Sequence, residues 1–246
     1  MLTKAESWDR DVRQLWVKSY AENLSNLLKN NGVKSILDTS GGTGYPLVEF
    51  AQMGWDVTYA DSNLEMYQFF ENKIKSLGLN VPMFLVKWQE LDIQIERQYD
   101  ALLCRGNSFM YMDGYDGLEN YNIVKVKENM KMALHQFYKK LNNNGILYID
   151  LLKEENIVRN KVIENEVFYE EYSTSSEIIY DKITNIRINI ETFRNLKNNS
   201  TYQEKFYGYV LKEDELKEML LEAGFSSVEK VEIESSNFTN SFLAKK

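Results

Sequence analysis

One cysteine, one histidine and two prolines are all that the 246 residues hold of these types, and each scarcity closes off a kind of chemistry. A lone Cys104 excludes an intrachain disulfide framework and fits a reducing compartment. It stands 31 positions (135 − 104) before the single His135, so no zinc-type ligand cluster is available. No apolar run approaches the ~18 residues that suggest a membrane span. The opening stretch MLTKAESWDRDVRQLW has neither the apolar core nor the small-residue cleavage site of a secretory signal. Positive charge is in deficit, with 29 basic residues against 37 acidic ones and a net charge of −8, which argues against a nucleic-acid phosphate footprint. These absences lead to the expectation of a cytoplasmic protein with a small-molecule partner, no metal, no nucleic acid and no membrane.

What is present alternates. Helical spacing runs from about Ala5 to Lys29, with Trp8, Leu15, Trp16 and Tyr20 forming an apolar stripe. Strand VKSILD follows, then a helix from about Gly44 to Met53, strand DVTYA and a helix from about Asn63 to Leu77. Next come strands MFLV and YDALLC, a long helix from about Glu119 to Leu141, and strand GILYID. Strands separated by helices imply crossover units, hence an α/β fold: a Rossmann-like, mostly parallel sheet with helices on both faces, whose ligands bind beyond the carboxyl ends of the strands. After Asp150 the period changes to two in EVFYEEYS, EIIYDKITNIRINIETF and STYQEKFYGYVL, which reads as an inserted antiparallel sheet. Helix KEDELKEMLLEAGF and strands SVEKVEI and NFTNSFLA complete the α/β pattern. The organisation expected is one domain over 1–246, with an N-terminal helical cap at 1–31 and an antiparallel lid at 152–211.

The stretch ILDTSGGTGYPLVEF places an acid, Asp38, at a strand end and then three glycines in four residues. Gly42-Thr43-Gly44 gives a G-x-G, but Leu47 stands where a dinucleotide fingerprint has its third glycine, so a pyrophosphate site is incomplete. Asp61 closes the next strand 23 positions after Asp38 (61 − 38), where an acid can accept hydrogen bonds from both ribose hydroxyls. The other reading of Asp61 is a helix cap, a task that Ser62 or Asn63 could take instead.

ILDTSGGTGY and VTYADSNLEM resemble the first two motifs of class I S-adenosylmethionine-dependent methyltransferases. Their ligand has no pyrophosphate and needs no third glycine. YDALLCRGNSFMYM resembles the GNSF segment of the glycine N-methyltransferases and related small-molecule enzymes, and LVKWQELD resembles their adenine-edge segment. The resemblance covers most of 33–151. It implies S-adenosylmethionine as cofactor, held by Asp38, Ser40, Gly42, Gly44, Asp61 and Ser62, with Met66, Trp88, Gln89, Cys104, Trp16 and Tyr20 around it. It also makes Asn107, Ser108 and Arg105 the residues facing the acceptor. Two positions depart from the pattern. Lys87 cannot accept from an adenine amino group, and Arg105 replaces an apolar residue, so it serves either an anionic substrate group or the surface. A regular strand would put Arg105 and Asn107 on the same face.

The resemblance therefore implies N-methylation of an amino-acid-like amine. O-methylation of a small sugar or phosphorylated metabolite, and a non-catalytic S-adenosylmethionine-binding protein, are the alternatives. Nucleic-acid methylation is disfavoured further by the absence of an acid-or-Asn, Pro, Pro, aromatic tetrapeptide after the fourth strand. His135 lies deep in a helix, away from every strand end, and is read as structural or surface. Cys104 doubles as a buried small hydrophobe. The insertion's tyrosines, Tyr169, Tyr172, Tyr180, Tyr202, Tyr207 and Tyr209, with Arg187 and Arg194, read as a sheet face that also offers groups for a carboxylate or phosphate.

Overall fold

The computed structural model describes residues 3–16, 19–115, 121–157, 172–233 and 238–246. At its centre is a seven-stranded sheet in the order β3-β2-β1-β4-β5-β10-β9. β1 (Ser35–Asp38), β2 (Asp56–Asp61), β3 (Met83–Leu85), β4 (Tyr99–Cys104) and β5 (Leu141–Leu152) run parallel. β10 (Thr239–Lys245) enters antiparallel between β5 and β9 (Ser227–Val231).

The central strands read as continuous apolar runs because neither of their faces meets water. Successive side chains alternate between two cores: Ile36, Ala101, Leu103 and Tyr148 enter one, while Leu37, Leu102, Cys104 and Ile149 enter the other. The first core is closed by α1 (Lys4–Leu15), α2 (Tyr20–Asn30), α3 (Leu47–Gln52) and α4 (Leu64–Ser76). The second lies under α5 (Leu91–Gln94), α6 (Ile123–Lys140) and, after the single turn α7 (Glu154–Ile157), α8 (Glu213–Glu222).

The N-terminal segment is two helices, where one was expected. Trp16 leaves helical space at φ −97°, ψ 120°, and its ring packs 4.1 Å from Tyr20 and 4.8 Å from Phe238. Tertiary packing of one large aromatic thus overrides local helical spacing. The expected start of α6 at Glu119 lies outside the described residues; the helix begins at Ile123, capped by the Asn122 side chain on Val124 and Lys125 N–H.

A separate antiparallel sheet consists of β6 (Tyr172–Asp181), β7 (Ile186–Asn195) and β8 (Thr201–Tyr209). The expected strand EVFYEEYS falls mostly at 158–171, outside the described residues. EIIYDKITNIRINIETF is a hairpin, not one strand. Its turn forms because the Asp181 carboxylate accepts from Ile183 N–H at 2.9 Å and from the Thr184 hydroxyl at 2.7 Å, and Asn185 takes φ +56°. Ties from this sheet to the rest of the chain include Tyr207 N–H donating to Gly114 O at 2.9 Å and Lys4 of α1 pairing with Glu204 of β8 at 2.7 Å.

Candidate active site

From β1 the chain crosses to β2 on one side, and from β4 to β5 on the other, so a crevice opens beyond the carboxyl ends of the adjacent strands β1 and β4. A cavity of about 540 Å3 occupies it. Its walls are the glycine loop, the end of β2, the turn at Trp88, the turn after β4, α1 and the inserted sheet.

The three glycines have different reasons. A Cβ on Gly41 would lie 2.3 Å from the Tyr59 ring, and one on Gly44, at φ +96°, would lie 2.3 Å from Phe70. Those rings stack at 4.2 Å beneath the loop. Gly42, at φ +52°, instead borders the cavity. Its N–H donates to Asp61 Oδ2 at 2.8 Å, and its carbonyl accepts from the Tyr59 hydroxyl at 2.8 Å. Asp61 Oδ1 accepts from Asn63 N–H at 2.8 Å, while Asn63 itself caps α4. Asp61 is therefore not the cap, and each of its oxygens keeps a further lone-pair site. Burial raises its pKa to about 6, against the pull of the Asn63 and Gly42 N–H groups.

The turn after β4 is built on buried charge. Arg105 is only 6% exposed, which overturns the surface reading. Its Nε stands 3.7 Å from Asp38 Oδ2, and neither atom has a hydrogen-bond partner. Burial raises the Asp38 pKa and Arg105 opposes the rise. The strand ends at Cys104, and Gly106 and Asn107 take φ +70° and +58°, so the face-sharing argument from a regular strand does not hold. Asp150 secures this left-handed pair. Fully buried near the carboxyl end of β5, it accepts from Gly106 N–H at 3.0 Å and Asn107 N–H at 2.6 Å. Desolvation raises its pKa to about 6, with those two N–H groups pulling it back. Asn107 Oδ1 accepts from Leu152 N–H at 3.2 Å, and its amide nitrogen meets only the Met110 sulfur at 3.6 Å. The side chain therefore offers its amide donor toward the cavity, while one lone pair of its oxygen is committed to Leu152. Ser108 gives its hydroxyl hydrogen to Arg105 O at 2.7 Å.

On the inserted sheet, Arg187 Nη1 and Asn189 Nδ2 both donate to the Tyr111 hydroxyl, at 2.8 and 3.0 Å. Arg187 is buried with its Nε unpartnered. Tyr115 and Phe206 stack at 5.7 Å, with the Lys4 ammonium 5.0 Å from the Tyr115 ring.

Of the residues expected from sequence, Trp16, Ser40, Gly42, Asp61, Ser62 and Met66 line the cavity. So do Trp88, Gln89, Arg105, Asn107 and Ser108. Trp88 is fixed by its indole N–H on Thr39 O at 2.5 Å. Four expected residues do not line it. Asp38 and Cys104 are fully buried beneath, Cys104 in the core under α6. Gly44 backs onto Phe70. Tyr20 is fully buried, 3.2 Å from the Tyr148 hydroxyl. His135 is exposed on α6, away from the cavity. Among the described residues no acid, histidine and cysteine cluster could hold a metal, and no helix is long and apolar enough to cross a membrane.

No family model matches the chain. The glycine/sarcosine N-methyltransferase of Halorhodospira halochloris is 28% identical over 206 residues, 82% of this chain and 69% of that protein. The glycine/sarcosine N-methyltransferase of Aphanothece halophytica is 24% identical over 230 residues, 91% and 78% of the two chains. An S-adenosylmethionine-dependent methyltransferase structure from Clostridium acetobutylicum superposes with a TM-score of 0.76 at 17% identity, covering 98% of this chain and 96% of that one. In sequence and fold the chain is similar to S-adenosylmethionine-dependent methyltransferases.

Several cavity residues escaped the sequence reading of the site. Tyr111 sits inside GNSFMYM but carried no motif role, Trp8 belonged to a stripe read as packing, and Asn189 was given no role. Asp150 was passed over although a signal existed: LYID brings an apolar run of β5 to an acid two residues before its end, much as ILD ends β1 and YAD ends β2 on one.

Proposed function

We propose that this protein moves the methyl group of S-adenosylmethionine to the amine of a small acceptor that carries a carboxylate, as an amino acid does. The observation that carries the reading is Arg187, a buried guanidinium with an unpartnered Nε, in the same cavity as Asp61 and the Gly42 backbone. A buried guanidinium N–H left without an acceptor is costly, and an acceptor carboxylate would supply that partner in bidentate form. The glycine/sarcosine activity named for two relatives supports the same class.

The donor supplies a methyl group already activated on a sulfonium. Asp61 would accept the ribose hydroxyls through its remaining lone pairs, and the Ser40–Gly42 backbone would border the methionyl half. Ser62, Met66, Trp88 and Gln89 would flank the adenine. Asn107, donating through its amide, would orient the acceptor, and Ser108 would hold the turn that carries it. An amine that arrives neutral needs alignment and exclusion of water more than a base. In this reading residues 1–31 cap and 152–211 cover a single domain, and the compartment is the cytoplasm. Incubation with labelled methyl donor and a panel of glycine, sarcosine, dimethylglycine, amino sugars and polyols, read by product mass, tests it. Methylated amino acids are expected. Transfer only to amino sugars or hydroxyls would refute the acceptor class.

A further inference from the structure

We infer that Arg105 binds the α-carboxylate of the methyl donor and leaves the acceptor to Arg187. The inference rests on the donor reading above. Both backbone polar groups of Arg105 are tied to one hydroxyl of the glycine loop: its N–H donates to Ser40 Oγ at 3.1 Å, and its carbonyl accepts from the same hydroxyl at 3.3 Å. The guanidinium is thus rooted on the donor's wall. It lies 5.9 Å from the Trp16 ring and 5.8 Å from the Tyr45 ring, both of which line the cavity. Stacked on aromatic faces, an arginine keeps a planar fork whose edge suits a carboxylate.

The donor's shape gives the direction. Its ribose end is fixed by Asp61, which is bonded to Gly42; from Gly42 the loop leads back to Ser40 and so to Arg105. The amino-acid end of the donor, beyond the ribose, runs along that same stretch. Charge gives a second, independent argument. Donor and acceptor bring two carboxylates into one cavity, and its wall holds two buried guanidinium groups on different elements. Arg187 is committed to Tyr111 and the inserted sheet. Of the described lysines in the wall, Lys4 is paired with Glu204 and Lys87 is exposed. Arg105, whose Nε already stands 3.7 Å from the buried Asp38, would meet the donor carboxylate through its Nη groups, and Arg187 would meet that of the acceptor, so neither is buried without a partner. Arg105 therefore selects for a donor with an intact amino-acid tail.

Calorimetry with two donor-site ligands separates the possibilities. S-adenosylhomocysteine carries the amino-acid tail, and 5′-methylthioadenosine keeps the nucleoside without it. Arg105→Leu should weaken the first by about 10- to 100-fold, the loss of a charge-assisted pair, and the second by less than about twofold. Arg105→Lys should fall between, and the KM for the acceptor at saturating donor should stay at its wild-type value in both. Retained methylthioadenosine binding also certifies the fold; should Arg105→Leu not fold, Arg105→Lys gives the same comparison. Equal weakening of both ligands would mean that Arg105 merely props the loop. Unchanged S-adenosylhomocysteine affinity with a raised acceptor KM would return Arg105 to the acceptor. Either outcome overturns the inference alone. Wild-type protein that binds neither nucleoside sinks the donor reading and the inference with it.

Discussion

Replacing Asp150 with Asn separates two opposed consequences of burying a carboxylate beneath the turn that carries Asn107. Wild-type Asp150 satisfies two backbone N–H groups, yet desolvation outweighs them and its pKa is raised from 3.8 to about 6. A folded-state pKa above the unfolded one means that the folded protein holds this proton more tightly. The stabilising contribution is therefore full below about pH 4 and is lost as pH rises through about 6. A shift of about two units, at 1.36 kcal/mol per unit, makes the loss about 3 kcal/mol by pH 7. Asn cannot ionise and shows none of that loss. Its single amide oxygen serves only one of the two donors, however, and an orphaned buried N–H costs about 1–3 kcal/mol at every pH. Urea denaturation should find Asp150→Asn less stable than wild type near pH 4, with the gap closing or reversing by about pH 7. Turnover should fall on the order of 100-fold, because the Asn107 amide is displaced by about 1 Å, while S-adenosylhomocysteine affinity is kept, since Asp150 does not line the cavity. A stability gap constant across that pH range would refute the burial argument, and wild-type turnover would refute the positioning role.

Asp61→Ala should weaken S-adenosylhomocysteine binding by roughly 1.5–3 kcal/mol. Because the Asp61 carboxyl titrates at about 6 in the free protein and ribose hydroxyls need its ionised form, wild-type affinity should drop by up to about tenfold per pH unit below that value; a flat calorimetric profile from about pH 5 to 7 would count against Asp61 as the ribose ligand. Arg187→Leu should raise the acceptor KM by about 10- to 100-fold with donor affinity unchanged, and a variant with wild-type KM would move the acceptor elsewhere. Gly41→Ala drives a methyl group into Tyr59 and should cost about 1–3 kcal/mol in a denaturation experiment; full stability would show that the loop can shift off its aromatic support.

The α/β layers were legible because burial on both faces leaves its mark in the strands themselves: Ile36-Leu37 in SILD and Ala101-Leu102-Leu103-Cys104 in YDALLC are unbroken apolar runs, and the chain turns polar or glycine-rich where each strand ends. The glycine loop and Asp61 announced themselves through spacing along one short segment. What escaped depends on partners far away in sequence. Asp150 acts on N–H groups 43 and 44 positions earlier, and no local pattern encodes that reach. Tyr20 sat at helical spacing with Trp16, but the helix breaks between them, and only Trp16 turns to the cavity while Tyr20 joins Tyr148 in the core. Asp38 and Cys104 close their strands as expected, yet a strand end has an inner side, and both face it. The hairpin at 182–185 has no glycine or proline to mark it, since an Asp side chain and a left-handed Asn make the turn.

The cavity residues of β7 and β8, Arg187, Asn189, Glu191, Phe193 and Phe206, all sit on one excursion of chain between β5 and α8. Its sockets on the rest of the molecule include the Tyr111 hydroxyl, the Gly114 carbonyl and the Lys4 ammonium. Such an arrangement is transplantable. A cassette with a different set of wall residues could be exchanged for this one by recombination at two junctions, provided that those sockets are matched, while the glycine loop, Asp61 and the Asp150-held turn stay untouched. Donor machinery and acceptor wall can then drift at separate rates, and a library built by shuffling residues 153–211 would search new acceptors without rebuilding the chemistry.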